Sequence, residues 1–324
     1  IDIHIDNYRF LSMNITFRQM RLFLALADTG SVSGAARALH VTQPTASMQL
    51  REVTEAVGLP LYEVIGRRVH LTDAGRDLAA TARAIVDAWE NFGQRVNAMH
   101  GLTRGRLRVA VVSTAKYFVP RLLGSFCAQY PDIEIALEVL NRDGVVQRLR
   151  ENLDDLYVMS MPPADLDLED HVFLSNPLVL VAWHGHRLAK RRRIALANLG
   201  NERFVLRERG SGTRLATDRF FAAQGFEAPT RLELGSNEAI KEAVAGRLGL
   251  AVLSRHALRD SELETDLCVL PVQGMPIPSQ WHVVHPRAKQ LSPIAQVFRA
   301  HLLSAAGQAS ATAGRGPGPL QSAP

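Results

Sequence analysis

The sequence predicts an α/β protein with a separate all-α unit at its N-terminus, and three observations carry that prediction. Apolar residues recur at helical spacing from Phe17 to Val57. An unbroken four-and-three apolar rhythm runs from Thr72 to Met99. After Gly105, short buried-type strands alternate with helices as far as Leu303.

The first helix spans Phe17 to Asp28 and turns Leu22, Phe23, Leu26 and Ala27 inward. A helix pair follows. Its first member starts after Ser31 or Ser33, whose hydroxyls can cap free backbone N–H groups, and runs through Ala35, Ala36 and Leu39. His40 and Val41 make the turn, Thr42 caps the second member, and Pro44 occupies the first turn, where a missing N–H costs nothing. Ala46, Leu50, Val53 and Val57 share an inward face; the opposite side presents Gln43, Pro44, Thr45, Ser47, Met48 and Arg51. Small or amide side chains with one guanidinium suit base edges and phosphates better than the usual Glu and Lys of a solvated helix. Leu61 to Leu71 alternates as a hairpin wing whose Arg67 and Arg68 reach backbone phosphate. Residues 14–71 therefore read as a winged helix-turn-helix that binds double-stranded DNA, with Ser31, Ser33 and Thr42 at its helix starts. A plain helical bundle would share the Ala/Leu spacing, but not the coincidence of cap, turn, proline and uncharged polar face. The segment is only mildly basic, so tight binding needs two such units.

Residues 72–102 supply the means. Leu78, Ala82, Ile85, Trp89, Phe92, Val96 and Met99 form a seam that calls for a partner helix and hence a homodimer, unless the helix packs on its own domain. A helix of this length spans roughly 40 Å, comparable to the spacing of two half-sites.

Residues 105–304 read as two small α/β lobes with a cleft between them: lobe I about 105–175 plus 276–304, lobe II about 176–275. The alternation predicts parallel sheets with helices on their faces. Three strand ends run into turns that open helices: Ser113-Thr114-Ala115-Lys116, Gly210-Ser211-Gly212-Thr213-Arg214 and Gly235-Ser236-Asn237-Glu238. Ligands of open α/β sheets bind at such ends, and free N–H groups there favour anions. Lys116, Arg207, Arg209, Arg214 and Lys241 add full charges in a chain with only four lysines, which points to a phosphorylated metabolite.

A net charge of +5 and a pI near 9.5 permit a nucleic-acid partner without demanding one. No apolar run is long enough to span a bilayer and the start shows no export signal, so the expected location is cytoplasmic with no membrane partner. Cys127 and Cys268 read as buried free thiols of a reducing compartment. The run Lys190-Arg191-Arg192-Arg193 reads as solvated surface, residues 1–12 as an extension upstream of Met13, and residues 305–324 as a disordered tail. A solute-binding protein of transport type would share the two lobes but not residues 14–99. An enzyme is disfavoured because Ser211 lies in Gly-Ser-Gly rather than a nucleophile elbow, and the histidines show no metal-ligand spacing.

The order of parts, with Gln43-Pro44-Thr45-Ala46-Ser47 and Leu71-Thr72-Asp73-Ala74-Gly75, resembles the LysR-type transcriptional regulators over residues 14 to about 304. More narrowly, Ser113 to Phe118, Met161-Pro162-Pro163, Leu206 to Arg214 and Gly235 to Lys241 resemble the subgroup that regulates RuBisCO operons of the Calvin cycle. The resemblance implies Rossmann-like lobes arranged as in periplasmic binding proteins, and a homotetramer that activates carbon-fixation genes, with RNA polymerase as a further partner. It implies an interrupted palindrome that is bent and then relaxed when an effector docks between the lobes. It also implies an effector such as ribulose bisphosphate or another sugar phosphate, phosphoenolpyruvate or NADPH, without a resident cofactor or metal, and adds Met161 and Pro162 to the candidate cleft. Where the subgroup usually has Leu-Ala-Leu-Met-Gly, this chain has Leu156-Tyr157-Val158-Met159-Ser160, which predicts extra bulk beside the cleft.

Replacing Arg51 by Ala is expected to weaken specific DNA binding by about 1–3 kcal/mol if the guanidinium reads a base. Fluorescence anisotropy on the DNA upstream of the chain's own gene, against random duplex, checks this; equal weakening on both would make Arg51 a phosphate anchor.

Overall fold

In the computed structural model, which describes residues 13–66, 68–99 and 104–313, contacts divide the chain at Val96 into two units. Residues 1–12, read above as an extension, Arg67 of the expected wing and residues 314–324 of the expected tail lie outside the described residues.

In the first unit, local chemistry sets each boundary. Helix α1, Phe17–Thr29, begins with a capping box between Thr16 and Gln19 and ends at Gly30, whose φ of 63° is left-handed. Helix α2, Val32–Ala38, is capped by Ser31, whose hydroxyl accepts the Gly34 N–H at 3.1 Å; Ser33 lies inside the helix and is exposed. Helix α3, Gln43–Val57, is capped by Thr42, carries Pro44 in its first turn and stops at Gly58. Leu22, Phe23, Leu26, Ala35, Ala46, Leu50 and Val53 close the core between the three helices. The wing is an antiparallel hairpin of β1, Tyr62–Ile65, and β2, Arg68–Leu71, tied back to α1 by Val69 N–H donating to Gly30 O at 2.9 Å.

Helix α4, Asp73–Met99, starts where Thr72 does two jobs: its hydroxyl donates to Pro60 O at 2.6 Å and accepts the Gly75 N–H at 3.1 Å. Gly75 is required by closeness, because a Cβ there would sit 1.9 Å from Leu61 O. The expected seam is corrected in its first half. Ala82 is buried and Leu78 partly buried in the core of the first unit, so these positions are already used within the chain. Only from Ile85 onward does the stripe face outward, with Ile85, Trp89 and Phe92 at 41, 63 and 51% exposure. The Met99 side chain lies outside the described residues.

Lobe I of the second unit is built from β3 (Gly105–Val112), α5 (Val119–Gln129), β4 (Ile133–Leu140), α6 (Arg142–Arg150), β5 (Leu156–Met159) and β6 (Leu168–Ser175). Lobe II comprises β7 (Leu178–Trp183), β8 (Phe204–Arg207), α7 (Gly212–Ala223), β9 (Thr230–Leu234), α8 (Asn237–Ala245), β10 (Ala251–Ser254), α9 (Asp260–Thr265) and β11 (Leu267–Val269). The chain then returns to lobe I with β12 (Gln280–Pro286) and α10 (Pro293–Ala313).

The sheets are mixed rather than parallel. In lobe I the order is β4-β3-β5-β12-β6; β3 pairs parallel with β4 and β5, but the returning β12 pairs antiparallel with both β5 and β6. In lobe II, β10 and β11 flank β7 antiparallel, while β8 and β9 pair in parallel. The helix α10 also runs past the expected end at 304, to Ala313, consistent with alanine being the best helix former. Both cysteines are half-buried rather than buried; burial pushes the Cys268 thiol up.

Tyr157 does not crowd the cleft. It is fully buried at the other end of β5, where its hydroxyl donates to Arg148 O at 3.0 Å and accepts the Asp154 N–H at 2.8 Å. The Asp154 carboxylate is 2% exposed and is held by two parallel 2.8 Å bonds from Arg148, the bidentate geometry a buried carboxylate needs.

Replacing Gly75 by Ala is expected to destabilise the first unit by about 1–3 kcal/mol, as overpacking against rigid backbone does. Thermal unfolding followed by circular dichroism checks this; an unchanged midpoint would show that the turn yields freely.

Candidate functional site

The first candidate surface is the outer face of α3. Gln43, Pro44, Ser47, Met48 and Arg51 are exposed and Thr45 is partly so, while the helix's other side is locked in the core. Pro44, Ser47, Met48 and Arg51 share one groove with Leu59, Pro60 and Tyr62 at the foot of the wing. Met48 leaves 56% of its surface exposed within this groove. Arg51 is paired only with Glu55 one turn on, at 2.8 Å and with both side chains largely exposed, so it is held weakly and stays available to a stronger anion. Arg68 is exposed at the start of β2.

The second candidate site lies where the lobes meet at the carboxyl ends of β3 and β8 and the start of α8. Arg207, at the end of β8, is 2% exposed and fully engaged: two bonds to Glu208 at 2.7 and 2.9 Å, one to Asn237 Oδ1 at 2.7 Å, and one to Ser113 Oγ of lobe I at 3.2 Å. Beside it, Glu238 accepts from Lys116 Nζ at 2.9 Å and from the Tyr117 hydroxyl at 2.6 Å, both from lobe I. Burial pushes the Glu238 carboxyl up, but hydrogen bonds from Tyr117, Lys116, its own backbone and Ser236 outweigh it and hold the pKa at about 2. Burial and then Glu238 push the Tyr117 phenol upward. Lys116 and Lys241 also approach the Tyr117 ring, at 5.4 and 5.9 Å from its centre.

A second pair of close approaches lies along the same seam. Gly210 O accepts the Asp143 N–H at 3.1 Å, and a Cβ on Gly210 would come within 2.9 Å of Asn141 Nδ2. A Cβ on Gly212 would meet Ser160 Oγ at 3.1 Å. The two glycines of Gly210-Ser211-Gly212 are thus the places where lobe II passes lobe I with no room for a side chain. Ser211 caps α7, and Thr213 is 6% exposed just behind it.

The structure brings Ser113, Thr114, Lys116, Arg207, Asn237 and Glu238 together. The remaining expected cations border the site but are turned to other partners: Arg214 bonds Asp218 and Glu233, each at 2.8 Å, and Arg207 O at 2.9 Å, Lys241 bonds Glu262 at 2.7 Å, and Arg209 is exposed in the turn. Met161 lies apart, on the α6 side, with a φ of 57° and its carbonyl accepting Arg142 Nε at 3.0 Å; Pro162 follows it. Tyr117 and Glu208 were not singled out from sequence, although Tyr117 sits within the Ser113 to Phe118 motif. Among the described residues no cluster of His, Cys, Asp or Glu could hold a metal, and no helix is long and apolar enough to cross a membrane.

Comparison with known proteins agrees with this organisation. Residues 17–76 match the bacterial regulatory helix-turn-helix protein, lysR family, and residues 100–307 match the LysR substrate binding domain. The chain is 43% identical over 291 residues to the HTH-type transcriptional activator CmpR of Synechocystis, covering 90% of this chain and 96% of that one. It is 42% identical over 290 residues to the RuBisCO operon transcriptional regulator of Acidithiobacillus ferrooxidans, covering 90 and 94%. Among solved structures, the regulatory domain of Synechocystis CcmR in complex with 2-PG is 46% identical, with a TM-score of 0.61, over 63% of this chain and 98% of that one. Full-length OxyR of Pseudomonas aeruginosa, at 19% identity, shares the fold with a TM-score of 0.71 over 89% of this chain and 98% of that one. With both halves matched and relatives similar along nearly their whole length, the chain belongs to the LysR family of DNA-binding transcriptional regulators, close to the regulators of RuBisCO operons.

Proposed function

We propose that this regulator activates carbon-fixation genes in response to a phosphorylated metabolite bound between lobes I and II. The observation that carries the ligand reading is Asn237: it is 1% exposed, its Oδ1 is taken by Arg207, and its Nδ2, though it acts on the Tyr117 hydroxyl, makes no hydrogen bond of good geometry among the described residues. Buried donors left unpaired are costly, so an oxygen-bearing ligand at the lobe junction repays that cost. The similarity to a RuBisCO operon regulator and to a CcmR regulatory domain bound to 2-PG supports the metabolite class. Ribulose bisphosphate or another sugar phosphate, phosphoenolpyruvate and NADPH are the compounds to try, with Ser113, Thr114, Asn237 and Thr213 as the surrounding groups.

At this end of the cleft three side-chain contacts join the lobes: Lys116 to Glu238, Tyr117 to Glu238 and Arg207 to Ser113. A ligand entering here must rearrange them, and that rearrangement is the signal. The outward stripe of Ile85, Trp89 and Phe92 supports a homodimer through α4, which sets two α3 faces on the halves of an interrupted palindrome. Assembly to a homotetramer, contact with RNA polymerase and action in the cytoplasm without catalysis complete this reading.

A footprint of the purified protein on DNA upstream of its own gene, with and without those metabolites, tests it. One of them is expected to shorten or shift the protected region; no preference over random competitor and no response to any metabolite would overturn it.

Replacing Glu238 by Gln should loosen the closed, ligand-free arrangement and lower the metabolite concentration needed for the footprint change by roughly three- to ten-fold, the worth of one half-exposed, solvent-screened contact. Because the carboxyl's pKa is depressed to about 2 from 4.5, the latch is complete above pH 4.5 and is lost as pH falls toward 2. A response identical to the parent's would remove Glu238 from the switch.

A further inference from the structure

Four of the five expected cations at the strand ends are already neutralised, Lys116 by Glu238, Arg207 by Glu208, Arg214 by Asp218 and Glu233, and Lys241 by Glu262, while Arg209 is exposed in its turn. A phosphoryl dianion docking between the lobes therefore needs positive charge that the fold has left uncompensated. A cavity of about 480 Å³ provides it, where α6 of lobe I and α7 of lobe II face each other across the 161–165 segment, and it is lined by Arg142, Arg150 and Arg219. Its size falls within the roughly 300–1,000 Å³ of small-molecule sites.

The three guanidiniums are not equivalent. Arg150 is paired with Asp165 at 2.5 Å. Arg142 is 16% exposed; its Nε is fixed by Met161 O, and among the described residues its one ion pair is a loose one, at 3.6 Å, with Asp143, which is itself 69% exposed. Burial lowers the Arg142 pKa, and the like charges of Arg219 and Arg150 push the same way against Asp143 and Asp165. Arg219, exposed on α7, has no hydrogen bond or ion pair among the described residues. The lobes are in close contact here, since a Cβ on Gly212 of α7 would lie 3.7 Å from Arg142 Cδ. Two guanidiniums, one from each lobe, thus face one cavity with Arg150, and against these three charges stand two exposed carboxylates, Asp143 loosely placed and Asp165 taken up by Arg150. Arginine forks match phosphate oxygens in pairs, and the like-charge repulsion between them is relieved by a dianion more fully than by a carboxylate.

We propose that this cavity is the phosphoryl site of the regulator: Arg142 and Arg219, one from each lobe, clamp a phosphate monoester or diphosphate group between them. The proposal rests on the reading that the ligand is a phosphorylated metabolite bound between the lobes. Met161 and Arg219 also line an adjoining cleft with Phe220, Pro276 and Pro278, which leaves room for the uncharged remainder of a ligand.

Isothermal titration calorimetry on the full chain with inorganic pyrophosphate and with ribulose 1,5-bisphosphate tests it, using the parent, Arg219→Gln, Arg219→Lys and Arg142→Gln. Arg219→Gln breaks no internal bond, so it remains informative even if Arg142→Gln fails to fold. Affinity for the bound probe is expected to fall at least ten-fold in both glutamine variants and to be partly kept in Arg219→Lys. Binding of either probe that is unchanged in Arg219→Gln, or no binding of either probe to the parent, overturns the proposal. Arginine-dependent binding of pyrophosphate without binding of ribulose bisphosphate leaves this site standing and removes only that metabolite from the proposed function.

Discussion

The second unit is organised around one buried charge. Arg207 has lost almost all contact with water, and a guanidinium in that position is tolerable only if its donors are met. Glu208 meets two of them from the next residue, Asn237 a third from the start of α8, and Ser113 the fourth from the opposite lobe. The arginine therefore fixes the end of β8, the first turn of α8 and the approach of lobe I at once. Removing one partner would strand a charge in low dielectric at about 3–5 kcal/mol, far more than the intact pair contributes.

The same logic places the second polar knot of lobe I well away from the cleft. Asp154, Arg148 and Tyr157 satisfy one another at the far end of β5, and Lys289 adds a bond to Asp154 O at 2.8 Å. This knot joins α6, β5 and the segment before α10, so the lobe is rigid at one end and engaged with its neighbour at the other. A rigid body with one adjustable edge transmits a small displacement at that edge as a rotation of the whole.

Much of the fold was legible because its signals are local. Thr16, Ser31, Thr42, Asn141, Ser211 and Ser236 all accept a backbone N–H at a helix start, and such caps act within four residues. The strand β6 was missed: Leu168–Ser175 is rich in charge, and its ladder is supplied by β12, more than a hundred residues later. The antiparallel return of β12 was illegible for the same reason, since pairing direction depends on where the chain re-enters lobe I. Tyr157 was misplaced for a different one: a strand residue points to either face, and only the position of Asp154 and Arg148 decides which end of the lobe receives a phenol.

By itself, the sequence determined the helix pair and its reading face, the break near residue 100 and the three turns at strand ends, because caps and periodicity are properties of short stretches. Only the tertiary structure decided which cations are neutralised and which are left over. Lys116, Arg207, Arg214 and Lys241 read alike with Arg142 and Arg219 in one dimension, but a charge is compensated by whichever carboxylate folding brings to it. Glu238 lies 122 residues from Lys116.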